Sequence, residues 1–172
     1  MSTLSQTVGK QLYQNLPTKY RDTIFVRMIS FMKIPMLYFV SPTVTEISDS
    51  HCVIKIPFLK RNRNHLNSMY FAVLAAGADC AGGLIAMKAI YQSGKDVALI
   101  FKDFKADFLK RAEGDTYFHC NEGAEVLALV QKAIETGTRV EMPVNIVAKV
   151  PSKTGDEPVA KFVVTLSLKY KK

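Results

Sequence analysis

Asp79 is the one charged residue between Met69 and Met87. On a helical wheel its neighbours three, four and seven positions away are Ala72, Ala75, Ala76, Gly82, Gly83 and Ala86, all of them small. The bulkier Val73, Leu74, Leu84 and Ile85 fall on the other side, which leaves a stripe where another group can come close to the helix backbone. A helix this apolar is normally buried, and a carboxylate on it must be hydrogen-bonded, neutral or open to a cavity. Burial raises a carboxyl pKa toward neutrality, where proton transfer is efficient, so a general base or acid is one reading of Asp79. A carboxylate satisfied by backbone N–H groups or by a basic neighbour is the other.

Upstream lies a polar, basic loop, Lys60 to Asn67, with Lys60, Arg61 and Arg63; Lys110 and Arg111 sit in a second charged turn. The formal net charge is +8, which favours an anionic partner such as nucleic acid, an acidic membrane surface or a phosphate-bearing small molecule. The cations are dispersed and form no basic tail, so nucleic acid is not the expected partner. His51-Cys52 and His119-Cys120 are zinc-type residues, but adjacent strand positions point to opposite faces, so neither dipeptide readily serves one ion. No Gly-x-Ser-x-Gly elbow, phosphate loop or dinucleotide fingerprint is present.

The elements that must hold these residues can be read from hydrophobic period. Thr7 to Val40 has helical spacing, with Val8, Leu12 and Leu16 followed by Ile24, Phe25, Met28, Ile29 and Met32, and is divided by Pro17 and Pro35. Arg21, Arg27 and Lys33 interrupt the second piece, which fits either peripheral contact with an acidic membrane or packing against the protein's own sheet. Thr43 to Phe58 alternates and turns at Asp49-Ser50, predicting a hairpin that buries Cys52, Ile54, Ile56 and Phe58. A helix is predicted from Ser68, as its cap, to about Gln92, ending at Ser93-Gly94. Strands over Val97 to Leu109 and Thr116 to Cys120, joined by the Lys110 to Asp115 turn, are read as a second hairpin. A helix from Glu122 to Glu135 follows, then a third hairpin from Arg139 to Val150 and Val159 to Tyr170. Without regular strand-helix alternation, a doubly wound parallel sheet is not expected.

The segment Asn64-His65-Leu66-Asn67-Ser68-Met69-Tyr70-Phe71-Ala72, continuing to Ala78-Asp79-Cys80-Ala81-Gly82, resembles the start of the central helix in hotdog-fold acyl-CoA thioesterases, particularly the phenylacetate-pathway type. That family shows an asparagine, a His-Gly-Gly, and an aspartate nine residues after the histidine, the spacing from Tyr70 to Asp79. Asn64 falls on the family's asparagine and Asp79 on its catalytic acid; Tyr70 stands at the histidine position, and Phe71-Ala72 replace the glycines. The chain is identified as a member of a bacterial branch of this superfamily with an N-terminal helical extension.

The resemblance implies an α+β hotdog fold, a curved antiparallel sheet around a long central helix. The expected organisation is one domain over residues 1–172, with an extension at 1–41 and the hotdog core at 42–172. It implies a thioester hydrolase acting on acyl-CoA or a related acyl thioester. In that reading Asp79 is base or nucleophile, Asn64 orients substrate or water, and Tyr70 donates its O–H to the developing oxyanion. An ideal helix would face Tyr70 away from Asp79, so that last role needs an irregular helix start; packing of the ring is the alternative.

Asn67, Ser68, Phe71, Ala72, Gly82 and Gly83 are the expected substrate contacts around the helix. Lys60, Arg61, Arg63, Lys110 and Arg111 are candidates for the coenzyme A phosphates, or are simply solvated. Coenzyme A enters as part of the substrate, with no separate cofactor and no metal. A homodimer, or a dimer of dimers, with sites at the subunit interface is expected. The alternative is a non-catalytic binder of an acyl chain or lipid. A dehydratase would need a histidine in the site, and His51, His65 and His119 lack that setting.

Three cysteines without short spacing, and a polar Met1 to Leu16, lead to a cytoplasmic expectation. Met69 to Met87 is long enough to raise the transmembrane question, but a lone carboxylate at its centre is costly in lipid, so no spanning segment is expected. With 48% apolar residues in 172, one substantial core is within reach.

Overall fold

The computed structural model describes residues 17–171. The expected helical positions Val8, Leu12 and Leu16 lie outside them. Pro17 stands at the cap of α1 (Thr18–Lys33), and Pro35 opens the short α2 (Pro35–Val40), so both prolines punctuate helices as their missing N–H groups require. β1 (Thr43–Ile47) and β2 (Cys52–Ile56) form the predicted hairpin. A bulge between Val44 and Glu46 changes the phase of β1: Val44 is fully buried while Glu46 is exposed, and Ile47 is brought back to pair with Cys52.

The long helix α3 (Phe71–Ser93) begins three residues after Ser68 and ends at Gly94, whose φ of 65° is the left-handed cap geometry that glycine adopts without strain. Ser68 does not cap it. Its hydroxyl accepts the Arg111 Nε–H at 2.8 Å and its carbonyl accepts the Asn64 N–H, so the residue is committed to the preceding loop. Tyr70 takes the cap position instead, with no side-chain hydrogen bond to the helix.

β3 (Val97–Phe108), β4 (Thr116–Cys120), α4 (Gly123–Thr136), β5 (Val140–Lys149), the one-turn α5 (Pro151–Thr154) and β6 (Pro158–Tyr170) complete the chain. The six strands form one antiparallel sheet in the order β1-β2-β4-β5-β6-β3. The expected hairpin between β3 and β4 is therefore absent. β4 is inserted between β2 and β5, and β3 lies at the far edge against β6. Their burial explains the separation: β4 alternates buried with half-buried residues as an interior strand does, whereas β3 is exposed along most of its length.

The curved sheet wraps α3, the α+β hotdog arrangement that the resemblance implied. Two glycines make the close approach possible. A Cβ on Gly77 would stand 2.3 Å from the Phe118 ring, and one on Gly82 would stand 2.8 Å from Val164 Cγ2 and 3.2 Å from Ile146 Cδ1. α3 is long and apolar enough to cross a membrane by length and composition, but 67% of its most apolar window is buried within the protein. α4 adds Val126, Leu129, Val130 and Ala133 to the same core.

The N-terminal helices are fastened to this core. Lys88 Nζ donates to Asp22 Oδ1 at 2.9 Å, joining α1 to α3, and the Phe25 and Tyr91 rings meet edge to face at 5.4 Å. Arg27 Nε donates to the Pro42 carbonyl at 3.0 Å, and Thr23 Oγ1 accepts the Val44 N–H at 3.0 Å, so α1 is also held across β1.

Candidate active site

Asp79 lies midway along α3 and is partly buried. Its carboxylate makes no hydrogen bond or ion pair with the described residues. Both satisfied readings of the acid, backbone N–H groups and a basic neighbour, therefore fail among those residues. Burial pushes its pKa up to about 6, from the ordinary carboxylate range into the range where a carboxyl exchanges protons near neutral pH.

The carboxylate borders two cavities. An inner one of about 160 Å³ lies between α1 and α3, walled by Val26, Leu37, Cys80, Leu84, Leu99 and Phe101. A lateral one of about 320 Å³ is lined by Met36, Phe71, Ala72, Ala75, Phe101 and Phe104. Ala72, Ala75 and Ala76 line the lateral cavity and Gly83 the inner one, so part of the small-residue stripe does leave room beside the acid. Gly82 instead faces Val164 and Ile146, and its small size serves helix-to-sheet packing.

The start of α3 supplies donors next to the same space. The N–H groups of Phe71 and Ala72 make no hydrogen bond among the described residues, because the first turn of a helix has no intrahelical acceptor for them and Tyr70 contributes no side-chain cap. Both residues line the lateral cavity that Asp79 borders. Uncapped amides at a helix start favour negative charge, which is what a carbonyl oxygen acquires when its carbon is attacked. Tyr70 is exposed and its ring packs edge to face on Phe71 at 4.8 Å, while Phe71 is itself exposed at the mouth of the cavity.

The other sequence candidates serve mainly the loop that precedes α3. Asn64 Oδ1 accepts the Leu66 and Ser68 N–H groups at 2.9 and 3.1 Å, and Asn67 adopts a positive φ of 54° while its Oδ1 accepts from Arg63 Nη1. Arg63 also donates to the Phe58 carbonyl through Nε and Nη2, with its guanidinium 4.1 Å from the Phe58 ring centroid. Arg61 ties the loop to α2 through the Phe39 carbonyl at 2.8 Å and Ser41 Oγ at 2.6 Å. Arg111 bonds Ser68 and Leu66 and pairs with Glu113 at 3.2 Å; Lys110 pairs with Glu157. The Lys60 side chain makes no hydrogen bond or ion pair among the described residues. Asn64, Tyr70 and these cations line neither cavity at Asp79.

The aromatic wall opposite Asp79 is not evident from the sequence. Phe101 and Phe104 are three residues apart on a strand, which strict alternation would place on opposite faces. An irregularity in the β3–β6 register between them inserts one extra residue, and both rings line the lateral cavity. Two aromatics in the run Phe101-Lys102-Asp103-Phe104 are the available signal, but nothing local in the sequence marks the bulge.

Among solved structures, the chain resembles a Pseudomonas aeruginosa protein of unknown function named as a probable thioesterase, with a TM-score of 0.69 and 22% identity over 91% of this chain and 97% of that one. A Chlorobaculum tepidum protein of unknown function gives a TM-score of 0.74 at 10% identity, covering 89% of this chain and 97% of the other. A thioesterase family protein from Silicibacter pomeroyi gives 0.62 at 14% identity, covering 87% and 99%. No curated protein matches the sequence. The family model described as Domain of unknown function (DUF4442) matches residues 21–167, from within α1 to the last strand. The chain therefore belongs to the DUF4442 family and carries its helices and sheet in the hotdog fold.

Proposed function

We propose that the protein is a thioester hydrolase acting on acyl-CoA or a related acyl thioester, with Asp79 as its catalytic base. The observation that carries this reading is a carboxylate without a partner among the described residues, its pKa raised to about 6, bordering two cavities, one of which extends to the uncapped start of its own helix. Similarity to proteins named as thioesterases supports the same direction. In the proposed homodimer the thioester carbonyl would sit beside Asp79 with its oxygen toward the Phe71 and Ala72 N–H groups at the start of the partner's α3, because about 10 Å of helix separates Asp79 from those groups in its own chain. Asp79 takes a proton from water, and the oxygen of that water bonds to the carbonyl carbon. The resulting oxyanion is stabilised by the two amides. Collapse breaks the C–S bond, the proton on Asp79 passes to the leaving thiolate, and the products are a free acid and a thiol.

Lys60, together with Lys110 and Arg111, is the proposed contact for the carrier phosphates. A homodimer is part of the proposal. β3 is an outer strand of 12 residues with Ile100, Phe104 and Phe108 exposed, an edge that soluble proteins usually cover. The test is hydrolysis of an acyl-CoA panel by wild type and Asp79→Asn. Loss of about 100-fold or more in kcat/KM is expected, the usual contribution of a general base; equal rates would overturn the assignment. One observation favours a second reading, a non-catalytic acyl-chain or lipid binder: the Phe71 ring occupies the cavity mouth where the resembling enzymes carry glycine. Native mass spectrometry showing a retained acyl ligand, without turnover, would select it.

A further inference from the structure

The inner cavity adjoins a larger space at its far end. It shares Ile29, Ile34 and Met87 with an outer groove of about 710 Å³ that opens between α1 and the end of α3, where Lys33 and Lys95 stand. On the other side it shares Asp79 and Phe101 with the lateral cavity. The three spaces thus lie in series, with Asp79 and Phe101 shared at one junction and Ile29, Ile34 and Met87 at the other. One wall along the second half of this path is α1, through Phe25, Val26, Ile29 and Met32.

The lining decides what can occupy it. Among the described residues, the side-chain oxygens that line the inner cavity are those of Asp79 and Ser30, and the Ser30 hydroxyl already donates to the Val26 carbonyl of its own helix at 2.7 Å. A polar occupant would lose its hydration without gaining partners, whereas an apolar one loses nothing. Space of this size lined by aliphatic and aromatic side chains takes about a benzene-sized group. A rigid ring would end there, whereas a flexible chain that continues into the outer groove must pass the Ile29, Ile34 and Met87 side chains that the two spaces share.

We infer that α1 roofs an acyl-chain subsite: an aliphatic acyl group with its carbonyl beside Asp79 runs through the inner cavity, passes between Ile29 and Met87, and emerges in the groove at Lys33 and Lys95. This inference rests on the thioester reading for the position of the carbonyl and goes beyond it in naming the substrate class, aliphatic acyl groups longer than about six carbons. The N-terminal helix is then part of the specificity apparatus, held over the chain by the Asp22–Lys88 pair and the Phe25–Tyr91 contact.

The test uses non-hydrolysable thioethers, so it needs no catalysis. S-ethyl-, S-hexyl- and S-dodecyl-coenzyme A are titrated calorimetrically into wild type and into Ile29→Trp, which narrows the junction of the two spaces from the α1 side. Each methylene entering the cavity should tighten binding about fourfold, so the dodecyl ligand should bind wild type about 100-fold or more tighter than the ethyl ligand. In Ile29→Trp that dodecyl-to-ethyl ratio should fall at least about tenfold, by overpacking of the junction. Met87→Trp narrows the same junction from α3 and should give the same collapse if the first variant melts too low for titration.

Wild type binding all three thioethers equally, or both variants keeping the wild-type ratio, would overturn the subsite. The outcomes separate the two claims. Steep chain-length dependence without hydrolysis of any acyl-CoA keeps the subsite and removes the hydrolase, while turnover with flat chain-length dependence does the reverse.

Discussion

Replacing Asp79 with asparagine should stabilise the protein at neutral pH, and by an amount that depends on pH in a defined direction. The carboxyl titrates at about 6 in the folded chain because burial disfavours its charge, against about 3.9 in an unfolded one. Between those two values the native state binds more protons than the unfolded state, so stability is lost as pH rises from about 4 to about 6 and the loss is complete above that. A shift of about two pH units corresponds to about 3 kcal/mol. The amide of the variant carries no charge at any of these pH values, so Asp79→Asn avoids this penalty, while at pH 4 the protonated acid and the amide cost about the same to bury.

Urea unfolding of the two proteins across pH 4 to 8 should therefore give curves that coincide at the acid end and separate to about 3 kcal/mol by pH 7.5. For a chain of this length that is a rise in Tm of about 6 to 12 °C. A difference that stays constant with pH, or a variant less stable than wild type at pH 7.5, would refute the placement of this acid, without a partner among the described residues, beside an apolar cavity.

Other consequences follow from particular contacts. Hydrolysis by wild type should fall as pH drops through about 6, since protonated Asp79 cannot accept a proton; a kcat/KM flat from pH 5 to 8 would remove it as the base. Gly77→Ala places a Cβ 2.3 Å from the Phe118 ring in a fully buried site, and should lower stability by about 1 to 3 kcal/mol despite the better helix propensity of alanine. Lys88→Met leaves Asp22 buried without its cation and should cost about 2 to 3 kcal/mol, less than a fully enclosed pair because Lys88 is 30% exposed; limited proteolysis should then cut first within α1. Cys52, Cys80 and Cys120 are buried, which pushes all three thiols up, so iodoacetamide should label none of them in the native protein on the timescale that labels all three in urea.

Much of the fold was legible because the hydrophobic period is strong and its stops are chemically plain. Gly94 ends α3 in left-handed geometry where the sequence placed that stop, and Pro17 and Pro35 separate the N-terminal helices. What could not be read is set by long-range pairing. The Lys110 to Asp115 segment looks like a hairpin turn, yet β4 pairs with β2 and β5, and no local residue encodes that choice. The bulges at β1 and β3 likewise change which side chains face the helix without a sequence mark. Ser68 resembles a cap, but its hydrogen bond with Arg111, 43 residues away, overrides the local preference.

For the site, Asp79 and its small neighbours were legible because a charge in an apolar helix is conspicuous. The family pattern at Asn64 and Tyr70 did not translate into a shared cavity: Asn64 turns inward on its own loop, and Tyr70 leans on Phe71. The walls formed by Phe101, Phe104 and the α1 residues come from elements distant in sequence, and only the folded chain assembles them around the acid.

A crystal structure of Asp79→Asn with octanoyl-CoA, a substrate this variant should hold uncleaved, would settle the catalytic role of α3. The expected complex holds an intact thioester whose carbonyl oxygen is within hydrogen-bonding distance of the partner's Phe71 or Ala72 N–H, whose carbonyl carbon lies beside the substituted side chain, and whose acyl chain points beneath α1. A ligand seated elsewhere, with position 79 walled off from it by protein, would contradict the assignment of this helix as the catalytic element.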